Sequence, residues 1–238
     1  MKFYQEFTKY YDDIFPFKEK TYDFLKEDLK ENARVLDIAT GSGNYSIALA
    51  QDGYKVSGID LSSGMINLAK SKSEGLDIDF KLGDMKEIST LYSGEKFDFI
   101  FCIGNSLVHL DSRREIKEVL KSIYSLLKQD GNLIIQIVNY DRILDLEINK
   151  LPTISNQETG VKLIRNYKLG VEKVEFETEL KSKEGNFENS VALLPLRSKE
   201  LKEILGEIGF DNIKLFGGFD RSSYKPLESF PLVIKAKR

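Results

Sequence analysis

Two acids and a pair of glycines have the most chemically specific spacing in this chain. The stretch Val35-Leu36-Asp37-Ile38-Ala39-Thr40-Gly41-Ser42-Gly43 is an apolar run holding a carboxylate, followed by a two-glycine turn. A second carboxylate ends the stretch Tyr54-Lys55-Val56-Ser57-Gly58-Ile59-Asp60. It follows the glycines by roughly twenty residues, the spacing at which doubly wound folds accept hydrogen bonds from ribose hydroxyls. Glycine adopts backbone angles closed to other residues, so a loop built on Gly41 and Gly43 can turn tightly and let a ligand approach the main chain. These residue types predict a nucleotide-like cofactor site, with Asp60 as the ribose ligand and Asp37 bracing the loop.

The elements that must position these groups follow from hydrophobic periodicity. Residues 35–39 read as a buried strand, and Ile47, Leu49 and Ala50 give the next segment a helical apolar face. Residues 54–60 and 80–84 read as further strands, ending in Asp60 and Asp84, and 97–103 as a fourth. In the segment 112–128, Ile116, Val119, Leu120, Ile123, Leu126 and Leu127 fall at helical spacing. Ser112 and Glu115 form a capping-box pattern at its start, and Asp130-Gly131 marks its end. Residues 133–138 are almost continuously apolar, as expected for a central strand covered on both faces. Alternating strands and helices predict an α/β, doubly wound, mostly parallel sheet of seven strands.

After Tyr140 the period changes from helical to two. Val174, Phe176, Thr178 and Leu180 alternate with Glu175, Glu177 and Glu179, and Glu184-Gly185-Asn186 supplies a hairpin turn. An antiparallel β insertion over about 150–197 is predicted, followed by a helix at 198–208 and strands near 212–216 and 230–237. The chain reads as one domain, 1–238, with 1–30 an N-terminal helical flap. An insertion at that place lies near the carboxyl ends of the strands, where open α/β sheets bind ligands, so it is expected to cover substrate. Burial of the sheet edge or a dimer contact is the alternative.

Composition bounds the function. With 41% hydrophobic and 31% charged residues in 238, the chain is an ordinary soluble protein with one sizeable core. No apolar run approaches a membrane span, and the start lacks a signal-peptide pattern. The single cysteine, Cys102, excludes an intramolecular disulfide and fits a reducing cytoplasm; it is read as packing. A net charge of −3 and a pI near 5.5 argue against a nucleic-acid partner. No metal is called for, and the expected assembly is a monomer or homodimer.

Two cofactor classes compete for the glycine loop. A dinucleotide fold wants G-x-G-x-x-G, and Gly41-Ser42-Gly43-Asn44-Tyr45-Ser46 has serine at the third position. D-x-A-x-G-x-G after a strand, Asp60-Leu61-Ser62 opening a helix with Met65, Gly83-Asp84-Met85 and Phe97-Asp98-Phe99-Ile100-Phe101-Cys102-Ile103 together resemble the ordered motifs of class I S-adenosylmethionine (SAM)-dependent methyltransferases. The resemblance implies a cofactor site across Asp37, Ala39, Gly41, Ser42, Gly43, Asp60, Leu61, Met65, Asp84, Met85 and Cys102, with Asp84 at the adenine amino group. It further implies that the Tyr10-Tyr11-Asp12-Asp13 segment folds over the cofactor, with Tyr11 against it. S-adenosylhomocysteine would be the product. Cys102-Ile103-Gly104-Asn105-Ser106 lacks the proline-rich signature of methyltransferases that act on base amino groups.

A narrower resemblance joins Gly104-Asn105-Ser106-Leu107-Val108-His109-Leu110 and Asn139-Tyr140-Asp141-Arg142-Ile143-Leu144 to glycine N-methyltransferases. The arginine that precedes N-Y-D in that family, and holds the amino acid's carboxylate, is Val138 here. Valine cannot pair bidentately with a carboxylate, which puts glycine itself in doubt. Lys18, Lys20, Arg142, Arg165 and Arg197 are the cations available from other directions.

The expected chemistry is an in-line displacement onto a small-molecule acceptor, an amine among the candidates, with no covalent enzyme intermediate. His109 and Tyr140 are the candidate bases, Tyr10 and Tyr11 candidates for a base or an aromatic face, and Asn105 a group that could orient an amine. The alternatives are a nicotinamide-dependent oxidoreductase and a methyltransferase-like binding protein without turnover.

Overall fold

The computed structural model describes residues 2–238. Three helices come first, α1 (Lys2–Lys9), α2 (Tyr11–Ile14) and α3 (Glu19–Lys26). The alternating part comprises β1 (Arg34–Ile38), α4 (Asn44–Gln51), β2 (Lys55–Asp60), α5 (Ser63–Lys72), β3 (Ile78–Leu82), α6 (Ile88–Leu91), β4 (Phe97–Cys102), α7 (Arg113–Leu126), β5 (Leu127–Val138) and α8 (Tyr140–Asp145). Four strands follow, β6 (Lys150–Ser155), β7 (Lys162–Leu169), β8 (Val174–Ser182) and β9 (Gly185–Leu193). The chain closes with α9 (Ser198–Ile208), β10 (Asp211–Phe216) and β11 (Pro231–Lys237).

The main sheet has seven strands in the order β10-β11-β5-β4-β1-β2-β3. β11 runs against both neighbours, and the other pairings are parallel. Period-two alternation divides the central strands between two cores. Leu36, Ile38, Ile100 and Cys102 face the larger core, while Val35, Phe99 and Phe101 face the core capped by Tyr22, Phe24 and Leu25 of α3. Strands apolar on both faces are stable only with helices on both sides, which is why the apolar runs are continuous.

Two local expectations need correction. Asp130-Gly131 does not separate helix from strand: β5 begins at Leu127, paired with Phe97, and Asp130 is absorbed as an irregularity at φ 64°. The C-terminus explains this, because Asp130 N–H donates to Arg238 O (3.0 Å) and Arg238 N–H to Gly131 O (2.9 Å). At the start of α7, Ser112 Oγ accepts from Glu115 N–H as a cap, but the Glu115 carboxylate reaches back to Asp111 N–H, outside the capping-box pattern.

β6, β7, β8 and β9 form a separate antiparallel sheet in that order, within the expected insertion. Ser182 pairs with Gly185, so the hairpin turn is Lys183-Glu184, one residue earlier than the glycine suggested. Gly185 opens β9 at φ 132°. Behind this sheet, Leu194 N–H donates to Val108 O at 2.9 Å, tying it to the loop after β4. Among the described residues, no helix is long and apolar enough to cross a membrane.

Candidate active site

After β3 the chain returns to β4 on the opposite side of β1, which leaves a crevice at the carboxyl ends of β1 and β4. Open α/β sheets bind ligands at such a switch point. The glycine loop lies there. Ala39 leaves β1 at φ 61°, and Gly41 and Gly43 follow at 57° and 77°. A Cβ on Gly41 would stand 2.7 Å from the Tyr11 hydroxyl, and one on Gly43 would stand 2.8 Å from Phe80 and 3.0 Å from Ala69. Gly41 therefore admits the N-terminal segment to the loop, whereas Gly43 admits α4 to β3 and α5.

Asp60 organises this loop from the end of β2. Gly41 N–H and Ser62 N–H each donate to it at 2.9 Å, to different oxygens. Its carboxylate keeps acceptor positions that these two amides do not use. Burial pushes its pKa up and the amides pull it down, with burial the larger effect.

Asp37 lies behind the loop and is buried. Thr40 Oγ1 and Ser46 Oγ both donate to its Oδ2 at 2.7 Å. Burial nevertheless raises its pKa from 3.8 to about 7, opposed by those two hydroxyls and assisted by the charge of Asp60. Ser46 is the residue where a dinucleotide loop has its third glycine; here its hydroxyl satisfies the buried acid. Cys102 ends β4 inside the larger core, where burial pushes its thiol up to about 12. Any contact from this position is thus by backbone or packing, not by a thiolate.

Asp12 was not among the expected site residues, and it latches the N-terminal segment to the loop. One of its oxygens accepts from Ser42 Oγ (2.5 Å) and Asn44 Nδ2 (2.9 Å), while Lys72 Nζ meets the other at 2.5 Å. Tyr11, one residue earlier, packs edge-on against Phe7 and beside Phe15, and burial raises its phenol pKa. Tyr10 instead points away, donating to Glu184 at the hairpin at 2.6 Å. Replacing Asp12 with alanine is expected to weaken S-adenosylhomocysteine binding roughly tenfold with little change in Tm, because these contacts are half-exposed. Calorimetry beside a thermal melt checks this; a collapsed Tm with unchanged affinity would make the latch purely structural.

The rest of the expected cofactor face lines the ends of β2 and β3. Gly83 N–H donates to Asp60 O (3.0 Å), and Asp84 caps the short turn Met85–Glu87 by accepting from Lys86 N–H (2.9 Å). Met65 is a buried residue in the first turn of α5, Met85 packs half-buried on the larger core, and Leu61 is 72% exposed.

Across the crevice, Asn105 and Tyr140 come together. Asn105 sits at φ 68°, accepts from Val138 N–H at 2.9 Å and donates Nδ2 to the Tyr140 hydroxyl at 3.3 Å. Tyr140 is 1% exposed, and burial raises its phenol well above the ordinary 10. Burial therefore favours the protonated phenol of Tyr140, which can donate or accept a hydrogen bond. His109, in the short turn Leu107–His109, is an exposed residue. Protein packed nearby still desolvates its imidazole enough to lower the pKa below 6.5. No hydrogen bond joins its ring to Asn105 or Tyr140 among the described residues. The flanking residues of N-Y-D are anchors: Asn139 donates to Pro226 O and Ser229 O, and Asp141 accepts from Ser198 N–H and Tyr224.

Residues 35–131 match the family model described as a methyltransferase domain. The chain is 31% identical over 220 residues to a glycine/sarcosine N-methyltransferase of Aphanothece halophytica, covering 90% of this chain and 81% of that one. A SAM-dependent methyltransferase structure from Clostridium acetobutylicum superposes with a TM-score of 0.81 at 21% identity, over 98% of both chains. A SAM-bound amino pentose methyltransferase from Micromonospora echinaspora superposes with a TM-score of 0.70 at 18% identity, over 91% of this chain and 88% of that one.

Proposed function

This chain belongs to the class I SAM-dependent methyltransferases, and on that premise we propose that it methylates the nitrogen of a small amine. Its cofactor is SAM, which decides against the nicotinamide reading of the glycine loop. The observation that carries the amine reading is the extended similarity to a glycine/sarcosine N-methyltransferase. A cytoplasmic setting fits the single buried cysteine.

The residues present fit the cofactor. Asp60 has acceptor positions left for ribose hydroxyls, Gly41 lets Tyr11 close over the loop, and Asp84 stands just past the end of β3 for the adenine amino group. When bound, SAM supplies a methyl carbon made electrophilic by its sulfonium. The protein's task is then to align and desolvate, a contribution of several kcal/mol in favourable cases. The second sheet covers the crevice and excludes water. The Tyr140 hydroxyl, already accepting from Asn105, keeps its own proton to donate toward the acceptor.

An amine attacks only as the free base, so a protonated acceptor must lose a proton first. His109 is the group suited to take it, being neutral at pH 7 and open to solvent. Because its pKa is lowered, the acidic limb of the kcat/KM profile is expected below pH 6.5, with activity rising as pH increases through it. In His109→Gln that limb should disappear; an unchanged profile would remove His109 from the reaction.

The acceptor atom is tested by S-adenosylhomocysteine release with matched amines and alcohols of the same carbon skeleton. Amines should raise release above the acceptor-free rate and alcohols should not. Stimulation by alcohols alone would move the acceptor atom to oxygen. Tight product binding with no stimulation by either would favour a binding protein without turnover.

A further inference from the structure

The inner face of the second sheet carries a polar row between two apolar ones. Alternation along β7 puts Leu163, Arg165 and Tyr167 on one face. Strand register extends each into a row across the sheet: Leu163-Leu180-Phe187, Arg165-Thr178-Asn189 and Tyr167-Phe176-Val191. The first row packs with Phe3 and Ile14 of the N-terminal helices, and the third joins the core that contains Tyr140. The Tyr167 ring lies 6.5 Å from that of Tyr140, the residue bonded to Asn105. The polar row thus spans the space between the N-terminal segment and the crevice.

Within that row, Thr178 Oγ1 donates to Asn189 O (3.3 Å) and Asn189 Nδ2 to the Tyr4 hydroxyl (3.4 Å). Arg165 is satisfied far less well. One nitrogen, Nη2, donates to Pro152 O at 2.7 Å, but Nε is buried without a partner, and so is the neighbouring Tyr167 hydroxyl. Arg34, Arg113, Arg197 and Arg221 each pair with a carboxylate; among the described residues Arg165 meets none. A half-buried guanidinium without a counter-ion, beside a second unpaired donor, is costly unless an anion completes it. Guanidinium and hydroxyl donors on one face suit a carboxylate, which arginine can take bidentately.

We propose that Arg165 and the Tyr167 hydroxyl bind a carboxylate of the methyl acceptor from the second sheet, so that the substrates are amines bearing a carboxylate. This rests on the methyl-transfer reading above. It assigns the charge to a different element from the end of β5, where Val138 is apolar and its N–H is held by Asn105.

Acetate is the probe, titrated by ligand-observed NMR into the full-length protein saturated with S-adenosylhomocysteine. Wild type should bind it, Arg165→Ala should weaken binding at least about tenfold, and Tyr167→Phe should weaken it by a smaller factor. S-adenosylhomocysteine affinity should be unchanged from wild type in both variants. Arg165→Gln, which keeps the stem that packs in the sheet, should reproduce the loss even if the alanine variant folds poorly. Equal acetate binding by wild type and Arg165→Gln, or no acetate binding by a wild-type protein that holds S-adenosylhomocysteine, would overturn the subsite. Failure of the wild type to bind S-adenosylhomocysteine would overturn the methyl-transfer reading itself, and the subsite with it.

Discussion

Asp60→Ala is expected to lower S-adenosylhomocysteine affinity by about a hundredfold or more, roughly 3 kcal/mol, measured by titration calorimetry. Two losses combine. The carboxylate positions available to ribose hydroxyls disappear, and Gly41 N–H and Ser62 N–H lose the acceptor that fixes the loop. The fold should survive, because Asp60 is itself held in the folded state at some desolvation cost. Asp60→Asn is a useful companion: it retains the shape but turns one acceptor into a donor facing an amide, so it should also bind weakly. Unchanged affinity in both variants would remove Asp60 from the cofactor site.

Asp37→Asn is expected to stabilise the protein at high pH. The carboxyl titrates at about 7 when folded against 3.8 in the ordinary case, so the folded state retains a proton that the unfolded state has lost. Stability contributed by this group is full below about pH 3.8 and declines as pH rises, with the loss complete above about 7. A shift of that size corresponds to about 4 kcal/mol at most. Asparagine can still accept from Thr40 and Ser46 but never ionises. Its Tm should therefore match that of wild type near pH 4 and exceed it by several degrees at pH 8. A variant that is less stable than wild type at pH 8 would show that the ionised acid is held favourably, contrary to the burial argument.

The parts of the fold legible in sequence are those where local pattern and tertiary demand agree. Val35–Ile38 and Phe97–Cys102 are apolar on both faces because helices cover both, and β8 alternates because only one of its faces is buried. The glycine loop and its tie to Asp60 were legible because a tight turn at positive φ and a carboxylate at the next strand's end leave a fixed spacing in the sequence. Asp12 and Lys72 were not, since their contact joins residues distant in sequence and depends on where α2 and α5 settle. Ser46 had a readable signal, a polar residue at the dinucleotide loop's third glycine, whose meaning needed the buried Asp37 beside it. The burial of Tyr140, which favours its protonated form, was not legible because burial is not a property of residue type. Arg165 falls on the buried face of β7 by simple alternation, but which face is buried becomes apparent only once β7 is paired with β8.

The most direct test of methyl transfer to an amine is mass spectrometry of reactions containing deuterium-methyl-labelled SAM and a panel of small amines, with and without a carboxylate. The account predicts the labelled methyl on the nitrogen of a carboxylate-bearing amine, formed in step with S-adenosylhomocysteine. Label appearing on oxygen or carbon, or product binding with no label transferred to any amine, would contradict it.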